Sequence, residues 1–420
     1  MTTPLDESQD VLKAIDSEGL SIVFVDAAAT FMLPDSQRPV FRCSAQILTR
    51  AEEMHATLYI RHDQPVPKEF VPISIEGTDT LGRQYVLQMS PQKITGGTVL
   101  SVFNGPCHVL IGRRIGLPTR ETQCVTFRAS GDVVVPFSSK TTVTREWKGK
   151  LIYQGGDAGG YFGQHDDISI DVDQRHSFTT INVYTKLKNV QAEKIMDAAE
   201  GAASYVLGFN LDPFYAFCTG TGEDVVWMHS RGTKPFPGQL PSPLDLRTDA
   251  DLFSKIFTHF FYYSLNSEGE RRSEAHALVF EVYKSFELAY LPHQILIVCV
   301  AIENLMRELI KPGDEFKFSE SDLTIVTDAI TAINLPPTKK TRLTGLMSML
   351  NSASMSFLFR KAIDENLLDS RHKKTWEKWR HSLAHGGKSS EQQAIVDDLF
   401  MLLNAFHRLI GRKIGFDFVG

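Results

Sequence analysis

The sequence predicts an α+β protein of two domains: an antiparallel β-sandwich-like domain at residues 1–238 and an all-α domain at residues 249–420. Three observations carry this. The chain has 420 residues, more than one ordinary core organises. Between Ser21 and Tyr184 apolar residues recur mostly at every second position, in short runs separated by Gly, Pro and Asp clusters. Beyond a Pro-rich stretch at 234–248 the period becomes helical.

Taken in order, residues 6–16 read as a short helix with Asp6 as its cap. Strands follow, among them 21–25, 57–60, 85–89 and 168–172. A helix is predicted at 190–207. After it comes a hairpin of 214–218 and 224–229, turned by Thr219-Gly220-Thr221-Gly222. The stretch Lys234-Pro235-Phe236-Pro237-Gly238-Gln239-Leu240-Pro241-Ser242-Pro243 suits neither a helix nor a central strand, so the linker is placed there. Helices are then predicted at 249–265, 270–290 and 292–310. Pro292 opens the last of these, where its missing N–H costs nothing. The centre of that helix, 295–302, is apolar all round and reads as the central buried helix. Further helices are expected at 321–333, 339–350, 357–367, 371–385 and 391–412. The final one carries a stripe of Ile395, Leu399, Leu402, Leu403, Phe406, Leu409 and Ile410, with Ser390 and Gln393 as a capping box.

Composition narrows the function classes. The chain is 42% hydrophobic and 22% charged, with a net charge of −6, which suits a globular protein and argues against a general nucleic-acid coat. The polar, acidic N-terminus does not read as a signal peptide. The longest apolar run, 295–302, is too short to span a bilayer, so no membrane role is expected. Five scattered cysteines without a CxxC pair predict a reducing cytoplasm, no disulfide framework and no zinc site. No HExxH or GxSxG occurs. Gly387-Lys388-Ser389 lacks the first glycine of a phosphate loop, because position 382 is serine. Gly155-Gly156-Asp157-Ala158-Gly159-Gly160 reads as a flexible hairpin, and His165-Asp166-Asp167 lacks a partner at metal-ligand spacing. No metal and no cofactor is expected.

The segment that carries chemistry is Arg380-His381-Ser382-Leu383-Ala384-His385. The Arg-to-His spacing alone is weak, since it recurs at Arg50…His55 and Arg271…His276. At Arg380 the next residue is polar, Gly386 and Gly387 end the helix after His385, and an amphipathic helix completes the chain. Arginine stays charged and presents a planar fork to phosphate oxygens, so Arg380 suits stabilisation of a phosphorane. Histidine titrates near neutrality and serves as base or acid. At a helix C-terminus the charged form of His385 is favoured. His381 orients the pair, touches a phosphate or is structural. Around the motif, residues 338–388 hold eleven Lys or Arg against four acids, a net of +7. Lys373, Lys374, Lys378 and Lys388 are candidate RNA contacts. Trp376 and Trp379 lie among them, as core residues in the simpler reading or as platforms for bases. Glu303 stands in an apolar helix where a lone charge is costly, paired either with Arg307 one turn on or with Arg380 from behind.

Lys378-Trp379-Arg380-His381-Ser382-Leu383-Ala384-His385-Gly386-Gly387 resembles the signature of the HEPN superfamily: Arg, then Asn, Asp or His, three residues, then His. The helix around 295–305 resembles the earlier core helix of such domains, and 409–416 resembles the way many of them end. The resemblance covers about residues 250–420. It implies an all-α HEPN bundle, a metal-independent endoribonuclease acting by 2′-hydroxyl attack with Arg380, His385 and His381 as site residues, and a homodimer through the helical domain that brings two motifs to one cleft. The overall plan is similar to that of ApeA-type anti-phage proteins, in which a β-rich region senses a trigger. That comparison rests on architecture. It implies a cytoplasmic defence protein that cuts RNA, tRNA for example, when its N-terminal domain meets a phage-derived or other trigger. Two rivals stay open. One is a non-catalytic scaffold binding a nucleotide or a partner. The other is a toxin restrained by an antitoxin, although Gly387 occupies the position of the tyrosine that is modified in some HEPN toxins.

Overall fold

The structure is a computed structural model of the chain. It describes residues 20–32, 40–50, 53–61, 71–79, 83–89, 93–96, 100–117, 121–130, 142–147, 150–156, 160–175, 178–211, 213–229, 250–267, 272–286, 290–311, 319–347, 353–384 and 392–418. The helix expected at 6–16 and the segment 234–248 lie outside them. An antiparallel sheet is followed by helices, an α+β arrangement, and the chain divides into compact units at residues 1–279 and 280–420.

The strands are β1 (Leu20–Met32), β2 (Val40–Arg50), β3 (Glu53–Arg61), β4 (Val71–Asp79), β5 (Gln84–Met89), β6 (Lys93–Gly96), β7 (Leu100–Ile115), β8 (Gln123–Ser130), β9 (Thr142–Trp147), β10 (Lys150–Gly156), β11 (Gly160–His165), β12 (Ile168–Arg175), β13 (Phe178–Thr185), β14 (Tyr215–Thr219) and β15 (Glu223–His229). Thirteen of them form one sheet, in place of the two stacked layers expected of a sandwich. The physical reason is β7, whose 16 residues pair with four partners. Its first half lies between β3 and β6, and its second half between β5 and β15. The path β7–β3–β2–β1–β4–β5 therefore returns to β7 as a closed ring, which satisfies strand edges by closure. From β15 the sheet continues through β14, β8, β13 and β12 to β11. β9 and β10 pair with each other, and β11 pairs with β12. Residues 157–159 of the glycine-rich stretch, where the sequence reads as a hairpin, lie outside the described residues.

Strand β12 shows the period-two logic directly: Ile168, Ile170 and Val172 are buried, while Ser169, Asp171 and Asp173 are half-buried. Helix α1 (Ala192–Leu207) packs on β8, β14 and β15, and α2 (Ala250–Asn266) packs on α1, β11 and β12. Phe253, Ile256, Phe257, Phe260 and Phe261 of α2 are buried, with Tyr161–Phe253 ring centroids 4.7 Å apart and Tyr205–Phe260 5.0 Å apart. Through this aromatic face α2 packs on α1, β11 and β12. The β14–β15 turn needs its glycines. Gly222 has φ +72°, and a Cβ on Gly220 would sit 2.5 Å from the Ala192 backbone nitrogen.

Helix α3 (Glu274–Ser285) spans the division between the units. Beyond it come α4 (Leu291–Leu309), α5 (Glu320–Ala332), α6 (Pro337–Met347), α7 (Met355–Asp364), α8 (Ser370–Ala384) and α9 (Gln392–Lys413). α4 packs against α7, α8 and α9 and is the central helix of this unit. Its burial is one-sided, however: Ile295, Val298, Cys299 and Ile302 are fully enclosed, but Val300 is 42% exposed. All seven apolar residues expected on α9 are buried. The capping box expected there involves Ser390, outside the described residues, and the Gln393 amide instead donates to Asp397 at 2.9 Å. His407 is buried and shares a 3.0 Å hydrogen bond with the Tyr283 hydroxyl, which joins α9 to α3. No helix among the described residues is long and apolar enough to cross a membrane.

Candidate active site

Helix α8 presents the Arg380 motif. Asp369 starts it: Oδ1 accepts the backbone N–H of Arg371 at 2.7 Å and of His372 at 3.2 Å. Its buried face is His372, Trp376 and Trp379, at i, i+4 and i+7. His372 Nδ1 accepts the Asp369 N–H at 3.0 Å, so Nε2 carries the proton it donates to Asn404 Oδ1 at 3.1 Å. Burial lowers the pKa of this imidazole. Both tryptophans are core residues, as the simpler sequence reading had it. Trp376 packs on Phe359 with centroids 5.1 Å apart, and the Trp379 indole N–H donates to Asp398 of α9 at 2.8 Å.

Arg380 stands at the edge of this face, its side chain 40% exposed. Its Nε lies 2.7 Å from Glu303 Oε1 of α4, whose side chain is 17% exposed. Of the two partners open to Glu303 from the sequence, Arg380 is the one it meets. The contact is a charge pair and not an aligned hydrogen bond. Among the described residues the Arg380 guanidinium makes no other ion pair or hydrogen bond. Cys299, buried one turn before Glu303 on α4, has its thiol pushed up to about 12 by burial and then by the Glu303 charge, with Arg380 acting the other way. A thiol so held is protonated near neutrality and is not a nucleophile.

His381 is exposed on the next position of α8. His385 and Lys388 lie outside the described residues, one and four positions past the last residue of α8. Among the lysines, Lys374 is exposed. Lys373 pairs with Glu377 at 3.7 Å, and Lys378 pairs with Asp398 at 2.5 Å while lying 5.5 Å from the Trp379 ring centroid. Arg371 is likewise paired with Asp369 at 3.1 Å. Glu377 and Asp369 are already counted in the +7 of this segment, and Asp398, outside it, offsets one further charge. Asp398 was not singled out from the sequence. It holds both Lys378 and Trp379 and so fixes α8 on α9; an acid on the polar side of an amphipathic helix gives no sequence signal for that role. Among the described residues no three His, Cys, Asp or Glu side chains come together as a metal site.

Chemically, the arrangement offers a cation anchored by a carboxylate of α4, in the last turns of a helix whose next residue is the exposed His381. In comparisons with protein-family models, curated proteins and solved structures, nothing matches this chain.

Proposed function

We propose that the chain is a metal-independent endoribonuclease whose helical unit is a HEPN-type bundle. The observation that supports this best is the Arg380–Glu303 pair. The carboxylate holds the guanidinium through Nε and leaves its outer nitrogens for phosphate oxygens, and the sequence that follows carries His381 and His385. In the proposed reaction the ribose 2′-oxygen attacks the adjacent phosphorus and its proton passes to a histidine base. Arg380 stabilises the phosphorane, and the 5′-oxygen leaves with a proton from a histidine acid. The products are a 2′,3′-cyclic phosphate and a 5′-hydroxyl. His385 carries the proton transfer, and His381 orients the pair or contacts phosphate. Attack and departure need proton transfer on opposite sides of the phosphorus, so two copies facing one cleft supply both roles.

In this reading the N-terminal unit senses a trigger and the activity serves antiviral defence in the cytoplasm, with RNA as the substrate and no cofactor. The ion pairs at Lys373 and Lys378 favour a second reading, a non-catalytic scaffold in which Arg380 is structural. Expression in cells of the wild type beside His385→Ala, with total RNA resolved by size, separates the two. Cleavage by the wild type alone is expected. Intact RNA in both, with both proteins folded, favours the scaffold.

A further inference from the structure

Helices α5 and α6 form a hairpin that differs from the rest of the helical unit. They pack on each other, and no residue of either helix whose exposure is described is buried. Leu323, Val326 and Ile330 of α5 and Leu343 of α6 are half-buried. Outside these, Ile325 is 66% exposed, Ile333 just beyond α5 is 47% exposed, and Leu346 is 49% exposed. The hairpin is nevertheless well defined. Ser319 and Asp322 form a reciprocal capping box at the start of α5, and the Lys340 ammonium donates to the Thr331 carbonyl across the pair. Two short helices that leave apolar residues exposed do not form an independent core, and unpartnered apolar residues of this size suit an interaction surface.

The charges say what covers it. α5 contains Glu320, Asp322 and Asp328 and no basic residue, while α6 contains Lys339, Lys340 and Arg342 and no acidic residue. A surface of this kind is complementary to itself. A two-fold axis that lays α5 of one copy along α6 of the other brings opposite charges together twice, whereas laying α5 on α5 opposes like charges.

We propose that the α5–α6 hairpin is a self-association arm that pairs with the same hairpin of a second copy as an antiparallel four-helix bundle, each α5 on the partner's α6. The arm rests on exposure and charge and not on RNA chemistry. A monomeric wild type would also remove the two-copy site of the ribonuclease reading, whereas a dimer unchanged by the arm variants overturns the arm alone.

The test is sedimentation equilibrium of the full chain, with circular dichroism confirming that each variant folds. Wild type is expected to dimerise, and Ile325→Asp with Leu346→Asp to be monomeric. Glu320→Lys with Asp328→Lys on α5, and Lys339→Glu with Arg342→Glu on α6, should each weaken self-association about tenfold. Mixed together, these two charge variants should regain the wild-type affinity, because both contacts between them are again of opposite sign. A wild type that stays monomeric, a dimer unchanged by the arm variants, or charge variants that do not rescue each other overturns the proposal. The first outcome leaves the arm to another protein or to nucleic acid, and the second places the dimer elsewhere.

Discussion

Replacing Glu303 by glutamine keeps the length of the side chain and removes the charge behind Arg380. At 2.7 Å and an effective dielectric of about 20 the Coulomb attraction would approach 6 kcal/mol. The guanidinium is 40% exposed, however, and screening at that level leaves about 1 kcal/mol of folding stability. The larger effect is expected on cleavage. Without its anchor the fork samples orientations that do not meet the phosphorane, and a loss of roughly tenfold in single-turnover rate, about 1.4 kcal/mol, is predicted. Arg380→Ala removes the cation itself and should cost about 10²- to 10³-fold. If Glu303 acts through Arg380, the double variant Glu303→Gln/Arg380→Ala cleaves no more slowly than Arg380→Ala alone. The assay is single-turnover cleavage of total cellular RNA by purified protein, with thermal unfolding as the control for folding. Two results refute the reasoning: a Glu303→Gln protein at wild-type rate, or a tenfold loss that persists on the Arg380→Ala background.

Two further outcomes follow from the packing of α9. Burial holds the His407 imidazole down at about 3, below its unfolded value of about 6.5, so the unfolded chain binds the extra proton between those values. Stability is therefore full above about pH 6.5 and is lost as pH falls toward 3. By pH 5 the loss from this group should reach about 2 kcal/mol in urea titrations. Tyr283→Phe with His407→Leu should remove that part of the slope, and an unchanged slope would assign it elsewhere. Asp398→Ala should destabilise the fold by about 1–3 kcal/mol, because the enclosed Trp379 indole N–H loses its acceptor. It should also slow cleavage by loosening α8. Denaturant unfolding and the cleavage assay read these two effects, and a variant as stable as wild type would show that the Asp398 contact contributes nothing.

The helical unit was legible in the sequence where its physics is local. The α9 stripe from Ile395 to Ile410 has one period and one buried face, so spacing alone located it. His372, Trp376 and Trp379 obey the same rule on α8. Glu303 drew attention as a lone charge among apolar residues, but its partner lies 77 residues away, and spacing within a helix offered Arg307 equally well. The ring of strands was not legible. Alternation shows which face of a strand is covered, not which strand is its neighbour, and the closure depends on β7 pairing along both edges. The period of α2 likewise identified a helix without revealing that its aromatic face lies on α1 and β11.

The most direct test of the central claim is to incubate purified wild type, Arg380→Ala and His385→Ala with RNA in the presence of EDTA and to analyse the ends of the products. The account predicts wild-type cleavage that survives the chelator and leaves 2′,3′-cyclic phosphates, with both folded variants cutting at least about 10²-fold more slowly. Products with 3′-hydroxyl ends, activity lost with EDTA, or either variant cutting at the wild-type rate would contradict it.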